Sequence, residues 1–304
     1  VPFHQEATAA FVRSLGFTLT TDQRTVAWRI VRDLQRPVPM HRLLEGEVGS
    51  GKTVVAAIAA LNVALAGGQT AVMAPTEILA EQHFQTFSRL FAGFPVSLGL
   101  LTRSRRACQP RQARAPAAGP VRKAALIKQV AAGELDIIVG THALLPEAVR
   151  FPRLTLAVVD EQHRFGVLQR NQLVAAGHGV SPHFLSLTAT PIPRSLALAL
   201  FGDLAISAIR QRPQERKPIT TQLVTPDARP RLYQFIRQQV AAGRQAFVVC
   251  PLIDPSDRFG VRAVTAEHEQ LQRVVFPQLH VGVLHGKLAA KKKSATMADF
   301  VANR

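Results

Sequence analysis

The eight residues Gly46, Glu47, Val48, Gly49, Ser50, Gly51, Lys52 and Thr53 fit the spacing G-x-x-x-x-G-K-[ST], which leaves few folds open to the chain. Glycines let the backbone curl so that successive N–H groups face an anion. The helix that follows adds its positive end, and the Lys52 ammonium reaches the outer phosphates of a nucleotide. The Thr53 hydroxyl is placed to bind magnesium. Such a loop needs a strand before it and a helix after it. "HRLLEG" (41–46) reads as the strand, and the apolar run from Val54 to Ala66 reads as the helix.

The same alternation runs along the chain. "TAVMAP" (70–75), "VSLGLL" (96–101), "DIIVG" (136–140), "LTLAVVD" (154–160) and "FLSLTA" (184–189) are short runs that stay apolar throughout. Strands buried on both faces have this character, and they belong to parallel sheets flanked by helices. Between them lie segments with helical spacing, such as Ile78, Leu79, Phe84 and Phe87, with Thr76 placed to cap the start. The fold class expected is α/β, a doubly wound P-loop domain.

A nucleotide held with Mg²⁺ needs a second acidic ligand and a group that orients water. Asp160 stands at the carboxyl end of a buried strand, where it can share the cation with Thr53. Its neighbour Glu161 can accept a hydrogen bond from the attacking water. Without a phosphate loop nearby, such a pair is more often a helix cap or a solvated turn. Gln162 and His163 are placed to bridge toward the hydroxyls of Thr188 and Thr190 in "LTATPIPR" (187–194), linking nucleotide state to the far side of the domain.

Composition narrows the partners. Lys and Arg total 37 against 20 acidic residues, a formal charge of +17, which favours a polyanion such as nucleic acid or an anionic membrane surface. The longest apolar stretch is interrupted by Asn62 and falls short of the roughly 20 residues a spanning helix needs. No basic-then-apolar leader opens the chain, so a cytoplasmic protein is expected. Two distant cysteines, Cys108 and Cys250, argue against a disulfide scaffold or zinc site.

Residues 210–218, "RQRPQERKP", have no apolar residue except proline and read as a linker. Beyond it "TTQLVT" (220–225), "RQAFVVC" (244–250) and "HVGVLHG" (280–286) read as strands of a second domain. From Gln82 to Gly133 nine basic residues occur and no acidic one, with "RSRRACQPRQARAPAAGPVRK" at 103–123. That segment is either a solvated insertion without fixed structure or an arm that grips phosphate.

Taken together, "GEVGSGKT", "DEQH" and "TATPIPR" resemble the superfamily 2 helicases and translocases, and more closely the RecG family of branched-DNA helicases. The likeness extends through "FTLTTDQ" (17–23), "MAPTEILAEQHF", "VGTHALL", "FGDL", "VCPLID" and "VGVLHGKL". The resemblance implies a RecA-like first domain over 1–209, a linker at 210–218 and part of a second RecA-like domain over 219–304. It implies ATP with Mg²⁺ as cofactors, and branched or duplex DNA, met without sequence preference, as the partner of a monomer. Gln23 matches the glutamine that reads the adenine edge, with Phe17 upstream as a stacking surface. Pro75, Thr76 and Glu77, and Gly140, Thr141 and His142, match segments along the nucleic-acid track, where hydroxyls and amides grip phosphates. Either segment alone reads as a helix cap. His285 falls near the strand being moved, although a lone histidine at a strand end is usually structural. Arg194 either contacts phosphate or covers the sheet end.

Two departures bear on activity. Relatives carry a wedge domain before the motor, and they continue past "LHGKL" into segments bearing an arginine finger and a coupling hairpin. The chain is therefore expected to bind ATP–Mg²⁺ and hydrolyse it weakly by itself. "LTRSRRACQPRQARAP" also replaces a shorter Gly-containing turn. Two alternatives stay open: the similar motor of a transcription-repair coupling translocase, and a nucleotide- and DNA-binding module without turnover. GTPases, transporter ATPases and small-molecule kinases do not explain "TATPIPR".

Overall fold

A computed structural model of the chain describes residues 1–111, 119–145, 149–161, 181–190, 204–211, 219–250 and 264–303. It divides into two compact units, Val1–Arg216 and Lys217–Arg304. The division lies inside the 210–218 segment, of which 212–218 fall outside the described residues.

The first unit is built on one sheet. Its strands are β1 (His41–Gly46), β2 (Gln69–Met73), β3 (Leu98–Leu101), β4 (Arg106–Gln109), β5 (Gly119–Pro120), β6 (Ile137–Gly140), β7 (Leu154–Asp160), β8 (His183–Thr188) and β9 (Ala205–Ile209). Their order across the sheet is β5-β4-β3-β6-β2-β7-β8-β1-β9. From β3 to β9 every neighbouring pair is parallel, and β4 and β5 add an antiparallel edge. Helices α1 (Gln5–Ser14), α2 (Thr21–Leu34), α3 (Lys52–Leu65), α4 (Glu77–Leu90) and α5 (Lys123–Ala131) flank it.

Alternate residues of each central strand enter different cores. Val72, Leu156 and Val158 pack with residues of α1 to α4, whereas Ala71, Met73, Ala157 and Val159 pack with Leu126 and Val130 of α5. Burial on both faces is why these runs are apolar at every position. Helix α3 is buried all round from Val54 to Ala64, and its alanines combine strong helix propensity with room for close neighbours. The amide Nδ2 of Asn62 inside it donates to Thr8 Oγ1 and the Ile58 carbonyl, and its Oδ1 accepts from the His4 N–H. A buried amide so fully paired is no fault in the helix. The helix ends at Gly67, whose φ of 78° suits the left-handed residue after a C-cap.

Three strands were not expected. β4 and β5 lie inside the basic 103–123 segment, so its described residues are ordered as an extension of the sheet. Arg111, just past β4, donates to both oxygens of Asp136, a carboxylate that is 1% exposed. β9 is the edge beyond β1. Among the described residues no helix is long and apolar enough to cross a membrane.

The second unit corrects an expectation. None of 220–225, 244–250 or 280–286 forms a strand. Leu223 is 98% exposed and Val249 89%, so the first two runs are left mostly uncovered, whereas Val281 of the third packs against the small core of this unit without gaining a strand partner. An apolar run becomes a strand only with both a partner and a covered face. What is ordered is helical: Arg229–Ala241, Val264–Gln270 continuing into Leu271–Val275, and Ala290–Val301. Leu271, Val275 and Phe276 form a small core there with Tyr233 and Ile236.

Candidate nucleotide and nucleic-acid site

The sheet brings three chain segments to one edge. β7, β8 and β1 are successive neighbours, with Asp160 paired in register to Leu187 and Glu45 to Thr188. The acidic pair, the Thr188–Thr190 turn and the phosphate loop therefore leave the sheet side by side at its carboxyl end, where α/β sheets bind ligands.

The loop has the geometry its sequence requires. Gly49 and Gly51 have φ of 80° and 89°. A Cβ at Gly46 would meet Ser50 Oγ at 2.4 Å, and one at Gly51 would meet Gln23 Nε2 at 2.3 Å. At Gly51 the positive φ and the clash together require glycine, whereas a Cβ at Gly46 would have to displace the Ser50 hydroxyl. The Lys52 ammonium donates to the carbonyls of Gly46 (2.5 Å) and Glu47 (3.1 Å), occupying its own loop. Burial pushes its pKa down, and the charges of Asp160 and Glu161 partly oppose that shift. Ser50 Oγ is buried and makes no hydrogen bond. These features fit a phosphate: a cationic group on exchangeable carbonyls and a spare hydroxyl in a glycine cradle. Thr53, in the first turn of α3, is half-buried, and Glu47 and Val48 are exposed at the loop's tip.

Glu161 is held in a left-handed conformation, φ 52°, which costs a non-glycine residue on the order of 1–2 kcal/mol. Its N–H donates to the Leu187 carbonyl at 2.9 Å, and its Oε1 accepts from the Ala189 N–H at 3.2 Å. Strain of this kind persists where neighbours over-determine it. Thr188 and Thr190 bond to each other, Oγ1 to Oγ1 at 3.0 Å. Gln162, His163 and Arg194 lie outside the described residues, so the link seen between the acidic pair and the Thr-Ala-Thr turn runs through Glu161.

Sequence reasoning missed two contacts. His83, on α4, meets Asp160 with Nε2 2.7 Å from Oδ2, both side chains being mostly buried. No spacing relates position 83 to 160, so nothing in the sequence signals the pair. Gln23 is 2% exposed and largely engaged: Oε1 accepts from the Thr20 N–H at 2.8 Å, and Nε2 donates to the Ser50 carbonyl at 2.8 Å. It therefore clasps the phosphate loop to the start of α2. Phe17, half exposed, lines a surface pocket with Arg89 and Leu90 at the end of α4.

The nucleic-acid candidates of the first unit gather at the same edge, because β2, β6 and β3 end level: Met73 and Leu101 both pair with Gly140. Thr76 Oγ1 caps α4 by accepting from the Leu79 N–H, and Pro75 is half-buried beside it. Gly140 is a packing glycine, since a Cβ there would meet the Leu101 carbonyl at 2.3 Å. Thr141 is buried, and its hydroxyl accepts from the Ala143 N–H, whereas His142 is exposed. The carboxylate of Glu77 accepts from both N–H and Oγ of Ser104, so it braces the Thr102–Arg105 turn; Arg105 of that turn pairs with Glu81. Arg103 in the turn is exposed. His285, in the second unit, has its Nδ1 buried without a partner.

A phosphate loop after β1, an acidic pair after β7 and a Thr-Ala-Thr turn after β8 define a RecA-like P-loop domain. Residues 22–198 match the DEAD/DEAH box helicase family, and the chain belongs to that family. It is 44% identical over 297 residues to the ATP-dependent DNA helicase RecG of Synechocystis, covering 98% of this chain and 34% of that protein. Against the RecG of Bacillus subtilis it is 42% identical over 301 residues, 99% of this chain and 42% of the relative. A solved RecG bound to a three-way DNA junction superposes with a TM-score of 0.75 at 36% identity, over all of this chain and 37% of that one. The chain thus spans about a third to two-fifths of the length of these relatives.

Proposed function

We propose that the chain is the ATP-driven motor portion of a RecG-type helicase, which translocates on DNA and remodels branched DNA such as stalled forks and Holliday junctions in recombination and repair. The observation that carries the reading is that Lys52, after β1, and Asp160 and Glu161, at the end of β7, lie near enough to interact electrostatically across the end of β8, with Glu161 tied to Ala189. Lys52 exchanges the carbonyls of Gly46 and Glu47 for the outer phosphates of ATP. Thr53 and Asp160 would hold the Mg²⁺ that offsets charge on those phosphates. Glu161, aimed by its bond from Ala189, takes the hydrogen bond of the attacking water. Because Glu161 also bonds to the Leu187 carbonyl, a change at the γ-phosphate is felt at the Thr188–Thr190 turn. Phosphate contacts along Pro75–Thr76, Thr141–His142 and the Arg103 turn suit movement without sequence preference. His285 belongs to this track only as part of the second unit.

ATP hydrolysis measured with and without forked DNA tests the reading. Stimulation by the fork, with all turnover lost in Lys52→Ala, is the expected result, and turnover indifferent to DNA would refute it. A binding module with weak turnover is favoured for the chain taken alone by one observation: the described residues of the second unit form no strand ladder.

A further inference from the structure

We infer that His83 is a positioning residue for Asp160, holding one oxygen of that carboxylate so that the other is presented to the Mg²⁺ of the bound nucleotide. The inference rests on the ATP–Mg²⁺ reading above. Its ground is the 2.7 Å contact between His83 Nε2 and Asp160 Oδ2, made across from α4 to the end of β7. Both side chains are about one-seventh exposed or less, so water competes weakly for the bond. Asp160 ends a strand that is fixed in register against Leu187, and α4 is fixed by Ala80, Phe84 and Phe87 in the core. A carboxylate with a rigid backbone and one oxygen anchored has little freedom left about its side-chain torsions. Groups that orient a metal's carboxylate from behind change metal affinity or activity by about 10–100-fold when removed. The donor comes from α4, whose capped start at Thr76 stands on the proposed nucleic-acid edge, so the same helix meets both ligands.

The test is equilibrium binding of a fluorescent N-methylanthraniloyl ATP analogue to the whole chain, titrated with Mg²⁺, for the wild type, Lys52→Ala, His83→Ala and His83→Gln. Glutamine places an N–H donor the same number of bonds from the backbone as His83 Nε2. In His83→Ala the Mg²⁺ concentration giving half of the tightening is expected to rise about 10–100-fold, with Mg²⁺-free affinity unchanged. His83→Gln is expected to return it to within about 3-fold of wild type, an approximate margin for one retained hydrogen bond. A loss of folding moves the Mg²⁺-free affinity as well, and circular dichroism of the glutamine variant reports it separately. If His83→Ala titrates like the wild type, or if glutamine restores nothing, the positioning role is overturned and the ATP reading stands. If the wild type shows no Mg²⁺-dependent binding that Lys52→Ala removes, the ATP reading itself falls, and the role of His83 with it.

Discussion

Replacing Gln23 tests whether the phosphate loop is held from α2. Alanine there removes two bonds. The first is the reciprocal half of the cap, Thr20 N–H to Gln23 Oε1, and losing such a cap costs about 0.5–2 kcal/mol. The second is Nε2 to the Ser50 carbonyl, in a buried place where an unsatisfied acceptor costs about 1–3 kcal/mol. Their sum is about 1.5–5 kcal/mol. Gln23→Glu separates the two, because glutamate keeps the cap and loses the donor, setting a carboxylate against the Ser50 carbonyl. The assay is urea unfolding followed by the fluorescence of Trp28, the chain's one tryptophan, which lies on α2 and packs edge-on against Phe3 at 5.4 Å. With a denaturant slope of about 1–3 kcal/mol/M, Gln23→Ala is expected to lower the midpoint by roughly 0.5 M or more. Gln23→Glu is expected to lose at least as much, because a carboxylate buried against a carbonyl outweighs the cap bond it keeps. If both variants unfold within about 0.5 kcal/mol of the wild type, the size of an ordinary surface change, the clasp contributes nothing and the reasoning is wrong.

Glu161→Gln keeps an acceptor for the Ala189 N–H while removing the base, so fork-stimulated hydrolysis should fall about 10²–10⁴-fold with nucleotide affinity nearly unchanged; equal losses in both would contradict the role. Gly51→Ala forces a Cβ against Gln23 Nε2 at a φ of 89°, and should destabilise by more than about 1 kcal/mol and weaken binding of the fluorescent nucleotide. Asp136→Ala strips a buried carboxylate from Ser97, which donates to it through both N–H and Oγ, and from Arg111. Urea unfolding should show a loss of about 3–5 kcal/mol, and a smaller one for the half-exposed Arg111→Ala. Burial raises the Cys108 thiol to about 11, so at pH 8 only about one in a thousand is thiolate. Its alkylation by iodoacetamide should be slow there and climb about tenfold per pH unit toward 11; fast reaction in the folded protein at pH 8 would contradict the burial.

Where the sheet is central, apolar runs marked it closely. "HRLLEG" and "LTLAVVD" coincide with β1 and β7, and "FLSLTA" is offset from β8 by one residue. Such strands carry their signal because both faces are covered. At the edges the signal fades. β4 reads "RACQ", half-buried but for Gln109, and β9 reads "AISAI", with two buried positions of five. Neither is continuous enough to stand out from a loop. The reverse failure occurs at 244–250, where an apolar run has the composition of a buried strand and is left mostly exposed, because composition reports what a segment can bury and not whether a neighbour is there to bury it.

The site divides along the same line. Residue types at fixed spacing made the phosphate loop and the acidic pair legible, since their chemistry is local or needs only a strand end. What each polar group does with its hydrogen bonds was not, because those partners lie 27 residues away for Gln23 and Ser50, 77 for His83 and Asp160, and 27 for Glu77 and Ser104. The first turn of α2 shows how much such pairings decide. Gln23 reaches the phosphate loop, while its neighbour Asp22 accepts from the N–H groups of Arg210 and Gln211, both at 2.9 Å, and gives its own N–H to Gln211 Oε1. One turn of helix thus fastens the nucleotide cradle on one side and the chain leaving β9 on the other. A shift of that turn large enough to free Ser50 must also strain the bonds to residues 210 and 211, so loop and linker root move as one body or break together.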